Sequence, residues 1–518
     1  MSATVCMAED RLEPILHPSR RTFSWLWVAC ILVLALCLRL YRIGHDSFWI
    51  DEVFSVRVAS QPPGQILLNY RPSLLDGGGA EQAPLAFFVM HFFLADQLSE
   101  VYARLPAAIF GTADVGVLLL VARYLVPAPV ALLAAFLLAL APLHVWYSQE
   151  ARYYAQWAFL TTASYWALLR AVDTRRHRWA WAGYWLATAL SLYTFILSFF
   201  VMFCQAISAW RLQRLRPGQH VLRNCIGVQL LATISAAPVI WMIVNTLGRT
   251  TGAIRTKQLA AVPYTFFAYA AGYTSGPTVA SLHSQPSVSR ILTDYPVVIL
   301  FGLVFVPLIV LGVRRAMREP IAAAVVLPWC FGPSVLMFVT SLASNVGFQT
   351  RYAVVALPAF VLVVALGALA IRTAPLRWIA TSAVTVCYLF SLANSYWNPQ
   401  YDKEDARQAV ARLQSAGFND APVVVIGDVW PAVAHYGPQL RVLKFISCDG
   451  EFDQARVFAL DEASTVWLVA GRDWFQEAPR CLQRLSRHRA TIARDSVQGI
   501  DLWLLQRRDA APSDRGVG

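Results

Sequence analysis

Three clusters of charged and aromatic residues interrupt an otherwise apolar chain: Phe48-Trp49-Ile50-Asp51-Glu52, His144 through Arg152, and Gln349-Thr350-Arg351-Tyr352. Each falls where an apolar stretch meets water, and charges near lipid are costly unless they face a cavity. Asp51 and Glu52 beside Trp49 form a carboxylate pair suited to general-base work or to holding a metal. Burial raises one such carboxyl, whereas a cation lowers it. The alternative is helix capping, since Ser47 and Asp51 both precede helical sequence. The second cluster gathers His144, Tyr147, Gln149, Glu150 and Arg152. An interfacial aromatic belt would account for Trp146 and Tyr147 but not for the neighbouring Glu and Arg. In the third, the planar fork of Arg351 suits a phosphate of an anionic lipid headgroup. An interfacial arginine snorkelling from a helix end is the competing reading.

Long membrane elements must position these clusters. The 518 residues are 57% hydrophobic and 14% charged, with mean hydropathy +0.49, which a soluble chain of this length does not show. The net charge of +12 sits in short arginine-rich loops, with no long basic run or nucleic-acid motif, so nucleic-acid binding is not expected. A spanning helix needs about twenty apolar residues. Eleven segments qualify: 23–41, 104–124, 127–146, 153–171, 179–196, 197–212, 225–246, 296–313, 320–341, 353–371 and 376–394. Arginines at 170–178, 211–223, 314–318 and 372–377 place four loops inside by the positive-inside rule. Residues 147–152, 247–295, 342–352 and everything after 395 then lie outside, and 84–98 reads as a short helix in the outer interface.

The expected architecture is a multi-pass α-helical membrane protein. A cytoplasmic tail, 1–22, is followed by a transmembrane domain, 23–395, whose outer loop 42–103 carries Asp51 and Glu52. An extracytoplasmic α/β domain, 396–518, completes it, in the plasma (inner) membrane. No cleavable signal is visible at the N-terminus. In the last domain Asp402–Ser415 reads as an amphipathic helix, and strands are expected at 422–427, 465–471 and 501–505. Cysteines are scattered without zinc-site spacing. A disulfide between Cys448 and Cys481 is compatible with an extracytoplasmic setting.

The stretches "LRLYRIGHDSFWIDEVFS", "APLAFFVMHFF", "RLPAAIFG", "APLHVWYSQEARYYA" and "TRYAVVALPAF" occur in the order found in a known family. The chain resembles GT-C membrane glycosyltransferases of the protein O-mannosyltransferase and lipid A aminoarabinose transferase type, over roughly residues 38–372. The resemblance implies a GT-C fold of about 11–13 transmembrane helices. It also implies a polyprenyl-phosphate-linked sugar donor, a membrane lipid environment, and an acceptor that is a glycan, lipid or protein. Asp51 would be the catalytic base, and Glu52 would support it or help hold a divalent cation, Mg²⁺ or Mn²⁺. Tyr147, Gln149, Glu150 and Arg152 would face the donor, with Arg351 at the carrier phosphate and Tyr352 beside it. Relatives carry His-Pro-Pro-Leu where this chain has Gln82-Ala83-Pro84-Leu85, so Glu81 is the substitute ligand to consider. His91 keeps a family-like place on the same helix.

Two other classes compete. A transporter or flippase of a lipid-linked or small anionic substrate would place its charges near mid-membrane on broken helices, whereas the conspicuous charges here lie at helix ends. A scaffold protein would need no convergence of acidic, basic and aromatic groups.

Overall fold

The computed structural model describes residues 25–508 apart from 69–82, 95–98, 174–176, 216, 218, 248–260, 279–280, 282–287, 344–347, 418–419, 446–459, 461–462 and 474–476. The tail 1–22, Glu81, Gln82 and Cys448 lie outside the described residues. Cys481 is disulfide-bonded.

Each of the eleven apolar segments is helical over most of its described residues. Helix α1 (Trp25–Leu40) leads into the first cluster, carried by α2 (Ile50–Ala59). Then come α3 (Pro63–Leu68), α4 (Leu85–Leu94), α5 (Glu100–Leu125), α6 (Ala128–Leu140), α7 (Pro142–Ser148) and α8 (Tyr154–Asp173). Among the described residues, five helices are individually long and apolar enough to cross a membrane, or up to seven if each of two bent pairs is one span. The others among the eleven are short or carry polar groups. Helix α4 has ten residues, about 15 Å, half the thickness of a hydrocarbon core. Polar residues in α8 and the helices to Ser235 bond across the bundle: Gln205 Nε2 donates to Ser164 Oγ at 2.6 Å and Tyr184 Oη to Gln205 Oε1 at 2.8 Å. Such bonds satisfy side chains that lipid cannot.

The second cluster owes its direction to a proline. α6 and α7 meet at 56°. Pro142 lacks an N–H and pushes Ala141 out of the helical region, to φ −56°, ψ 115°. The third cluster enters through a short 3-10 helix, Thr350–Ala356, continued by Leu357–Ala370. That helix is in backbone contact with Val297–Met317: a Cβ on Gly312 would lie 1.9 Å from Val363 O, and one on Gly367 1.9 Å from Leu308 O.

A buried charge triad ties α1 and α5 to the second cluster inside the bundle. Arg39 Nη2 donates to His144 Nδ1 at 2.7 Å, and His144 Nε2 bonds Asp114 Oδ2 at 2.9 Å. Arg39 also bonds the carbonyls of Ala35 and Ala139. All three side chains are buried. Removing one member of such a set strands the others in a low dielectric. His144→Ala is therefore expected to cost about 3–5 kcal/mol of folded stability, read as a lowered unfolding midpoint in detergent.

Residues beyond Trp397 form a five-stranded sheet of order β2-β1-β3-β5-β4. β1 (Val423–Ile426) runs parallel to β2 (Val442–Phe445) and to β3 (Thr465–Gly471). β5 (Ile500–Arg507) pairs antiparallel with β3 and with β4 (Arg489–Val497). The expected strands correspond to β1, β3 and β5, and the expected helix to Ala406–Ser415; β2 and β4 are additional. The sheet does not stand apart. One hydrophobic core joins Phe48, Val53 and Phe54 of the first cluster and α2 to Val410, Val433 and Trp467 of this region.

Candidate active site

Asp51 lies in the first turn of α2, and no side chain caps that helix. The capping reading is not what the structure holds. Ser47 Oγ instead donates to Glu404 O at 2.8 Å and accepts from Ala406 N at 3.0 Å. The Asp51 side chain is a quarter exposed and meets two guanidinium groups from distant parts of the chain. Arg351 Nη1 bonds Asp51 Oδ2 at 3.0 Å, and Arg152 Nη2 lies 3.7 Å from the same oxygen. Arg152 Nη1 also donates to Asp51 O and Ser55 Oγ, both at 3.1 Å. Aromatic rings surround these cations: Arg152 lies 5.1 Å from the Tyr153 ring and 5.9 Å from that of Tyr154, and Arg351 lies 5.4 Å from Tyr352. Weakly hydrated, planar guanidinium groups suit such faces. Burial alone would raise the Asp51 carboxyl. Arg152, then Arg351 and Arg472, outweigh it and hold the group below its ordinary value.

Glu52 points the other way. Fully buried, it takes Arg104 Nε and Nη2 in a two-pronged pair, each at 2.8 Å, and the Ala151 N–H at 2.8 Å. Arg104 further binds the carbonyls of Ile43 and Asp46. The pair fastens the Asp51 turn to α5 and to the residue before Arg152. Against the effect of burial, Arg104 and Lys403 bring the Glu52 carboxyl down to about 2. A depressed carboxyl contributes stability above its unfolded value of 4.5 and loses it as pH falls toward 2. Wild type should therefore unfold more readily across that window, and Glu52→Gln should show a flatter dependence on acid in a melting series.

The other expected residues divide. Glu150 Oε1 pairs with Lys403 Nζ at 3.0 Å, and its buried Oε2 has no hydrogen-bond partner. Tyr147 Oη bonds Tyr273 Oη at 2.7 Å, and the Tyr352 ring lies tilted against that of Phe195 at 5.3 Å. Gln149 is turned away from Asp51: its Nε2 caps α1, donating to the carbonyls of Leu38, Arg39 and Tyr41. His91 bonds Ala59 O at 2.8 Å, at the far end of α2, about 12 Å along the helix from Asp51. Sequence reasoning did not single out Arg39, Arg104, Asp114, Lys403 or Arg472. Asp114, a lone acid within an apolar stretch, carried the clearest cue.

The described residues do not fit a divalent cation; Glu81, the substitute ligand considered above, lies outside them. Among the described residues no group of three or more His, Cys, Asp or Glu is placed to hold a metal. Asp51 already faces two guanidinium groups, and Glu52 is taken up by Arg104. Where a cation would be wanted, arginines stand. A recess beside them, lined by Ala86, Met90, Ala107, Phe110, Arg152 and Gln156, has apolar walls and a charged head.

The backbone arrangement matches solved membrane enzymes. ArnT from Cupriavidus metallidurans bound to undecaprenyl phosphate superposes with TM-score 0.57 at 11% identity, over 93% of this chain and 98% of that one. The chain has the GT-C fold. The archaeal oligosaccharyltransferase AglB from Archaeoglobus fulgidus, in complex with an inhibitory peptide and a dolichol-phosphate, gives TM-score 0.53 at 12% identity, covering 95% and 75% of the two chains. The same enzyme in complex with Zn and sulfate gives 0.50 at 13%, covering 91% and 72%. No family model matches the chain, and no curated protein matches it in sequence. Fold and apolar helices together make it a multi-pass membrane protein.

Proposed function

We propose that this GT-C protein is an integral membrane glycosyltransferase. It moves a sugar from a polyprenyl-phosphate carrier to a hydroxyl or amine acceptor, with inversion at the anomeric carbon, at the outer face of the plasma (inner) membrane. The observation that carries this reading is the meeting of Asp51 with Arg152 and Arg351 at one point. The transfer needs a base for the acceptor and cations for the departing phosphate, and these three residues supply both. The carriers in the two neighbours, undecaprenyl phosphate and dolichol-phosphate, are of the class proposed here.

Asp51 shares both arginines. A donor phosphate is a better bidentate partner for them than a single carboxylate oxygen. As the phosphate takes them, Asp51 loses the contacts that depress it and becomes a stronger base. The acceptor then attacks the anomeric carbon from the side opposite the phosphate and gives its proton to Asp51. The bond between that carbon and the phosphate oxygen breaks, and its electron pair leaves with the polyprenyl phosphate, whose added charge Arg351 and Arg152 stabilise. No step is routed through a metal.

The deciding experiment gives purified protein a panel of undecaprenyl-phosphate sugars labelled in the sugar, with glycan, lipid and peptide acceptors. Labelled acceptor and free undecaprenyl phosphate are expected together. The buried Arg39–Asp114–His144 set is the one observation favouring transport, although its members largely satisfy one another. Uptake into proteoliposomes with the sugar–phosphate bond intact would decide for transport and against transfer.

A further inference from the structure

We propose that the carboxy-terminal domain is a working part of the catalytic centre, and that Arg472, at the end of β3, is a positioning residue acting on Asp51 through Trp49. The proposal rests on reading Asp51 as the reacting carboxylate. Trp49 is the residue from which α2 starts, two before Asp51. The Arg472 guanidinium lies 4.8 Å from its ring centroid, and Lys403 Nζ lies 5.8 Å from that ring and 5.0 Å from the Trp146 ring. Glu404 Oε1 holds Arg472 Nε at 2.7 Å, and Glu150 holds Lys403. Buried Trp49 Nε1 has no hydrogen-bond partner, so cation–π contact from two segments beyond the bundle orients the indole.

The backbone is built to deliver this arginine. Arg472 has φ +50°, a left-handed conformation that is costly for a residue with a side chain and that persists where its surroundings dictate it. Gly427, at the end of β1 with φ +82°, dictates it from one side: a Cβ there would lie 2.1 Å from Gly471 O and 3.0 Å from the carbonyl carbon of Arg472. On the other side Asp473 accepts from the N–H groups of Glu477 and Ala478, capping the helix Glu477–Ser486.

Asp51 faces Arg152 and Arg351 directly and Arg472 at longer range. Around these stand Glu52 with Arg104, Glu150 with Lys403, Glu404 against Arg472, and the rings of Tyr153, Tyr154 and Tyr352. Taking Arg472 away loosens Trp49 and removes one positive charge from the field at Asp51.

The test uses full-length protein carrying Arg472→Met, Arg472→Lys or Gly427→Ala. Transfer from labelled undecaprenyl-phosphate sugar is measured against pH, together with hydrogen exchange of residues 47–53. Arg472→Met is expected to lower kcat by about 10²-fold, the scale of a small misplacement of a reacting group, with KM for donor unchanged. The acid limb of the pH profile should move upward. Arg472→Lys should recover part of the rate, and Gly427→Ala should reproduce the loss without touching Asp51. An unchanged rate and acid limb in Arg472→Met overturns the proposal. So does a loss that Arg472→Lys does not relieve and that tracks the melting temperature. If wild type transfers no sugar, the reading of Asp51 falls separately. The exchange data then decide: faster exchange at 47–53 in Arg472→Met at unchanged melting temperature upholds the contact, and unchanged exchange overturns it.

Discussion

Asp51→Asn is expected to lower kcat by about 10²–10⁴-fold, the usual contribution of a positioned general base, while binding of undecaprenyl phosphate survives. The amide keeps the shape of the carboxylate but cannot take a proton. It also stops competing for Arg351 and Arg152, which now sit 3.0 and 3.7 Å from Asp51 Oδ2. Affinity for the carrier phosphate should therefore rise as the rate falls. Equilibrium binding of labelled undecaprenyl phosphate and single-turnover transfer separate the two effects. In wild type, kcat/KM should hold steady down to a pH below 3.8, because the free enzyme's Asp51 is held under that ordinary value. Transfer at the wild-type rate in Asp51→Asn would require a different base.

Arg351→Lys is expected to behave as a loss and not as a conservative change. Lysine keeps the charge but gives up the fork that grips two oxygens at once. Losing one charge-assisted hydrogen bond should weaken undecaprenyl phosphate by about 1.5–3 kcal/mol, roughly ten- to a hundredfold in Kd. A further fall in kcat should follow, because the phosphate gains charge as the bond to the sugar breaks. Arg351 is the cleaner test of the two arginines. Arg152 also holds Asp51 O and Ser55 Oγ, so changing it moves the base as well as the phosphate site. Isothermal titration and initial rates on one preparation would show both losses. Unaltered affinity would remove Arg351 from the phosphate.

The apolar segments were legible because lipid imposes a twenty-residue rule that composition reveals directly, and all eleven are helical over most of their described residues. The convergence of Asp51, Arg152 and Arg351 was legible for a related reason: charges at the ends of apolar helices have few places to go except a shared cavity. Glu52 was harder. Nothing local separates a carboxylate that faces a substrate from one that grips Arg104, 52 positions on. Gln149 and His91 mislead in the same way, since each is spent on a backbone carbonyl in space that spacing does not encode. In the last domain the runs Val423–Ile426 and Thr465–Gly471 were visible as buried strands. β4 was not, because six of its nine residues face water and its alternation is lost. Arg472 gave no hint at all. Its relevance comes from Gly427, which lies 45 positions earlier and admits the turn that carries it.

The apolar cluster running from Phe48 through Val53 to Val410 and Trp467 sets a rule for how the protein comes apart. A cut after Trp397 would take away the His435 and Tyr436 rings that pack on Phe48 and expose it at the water boundary. Residues joined by one continuous interior melt as a cooperative unit. Truncation would accordingly disorder the helical turn that bears the carboxylate instead of merely shortening the molecule.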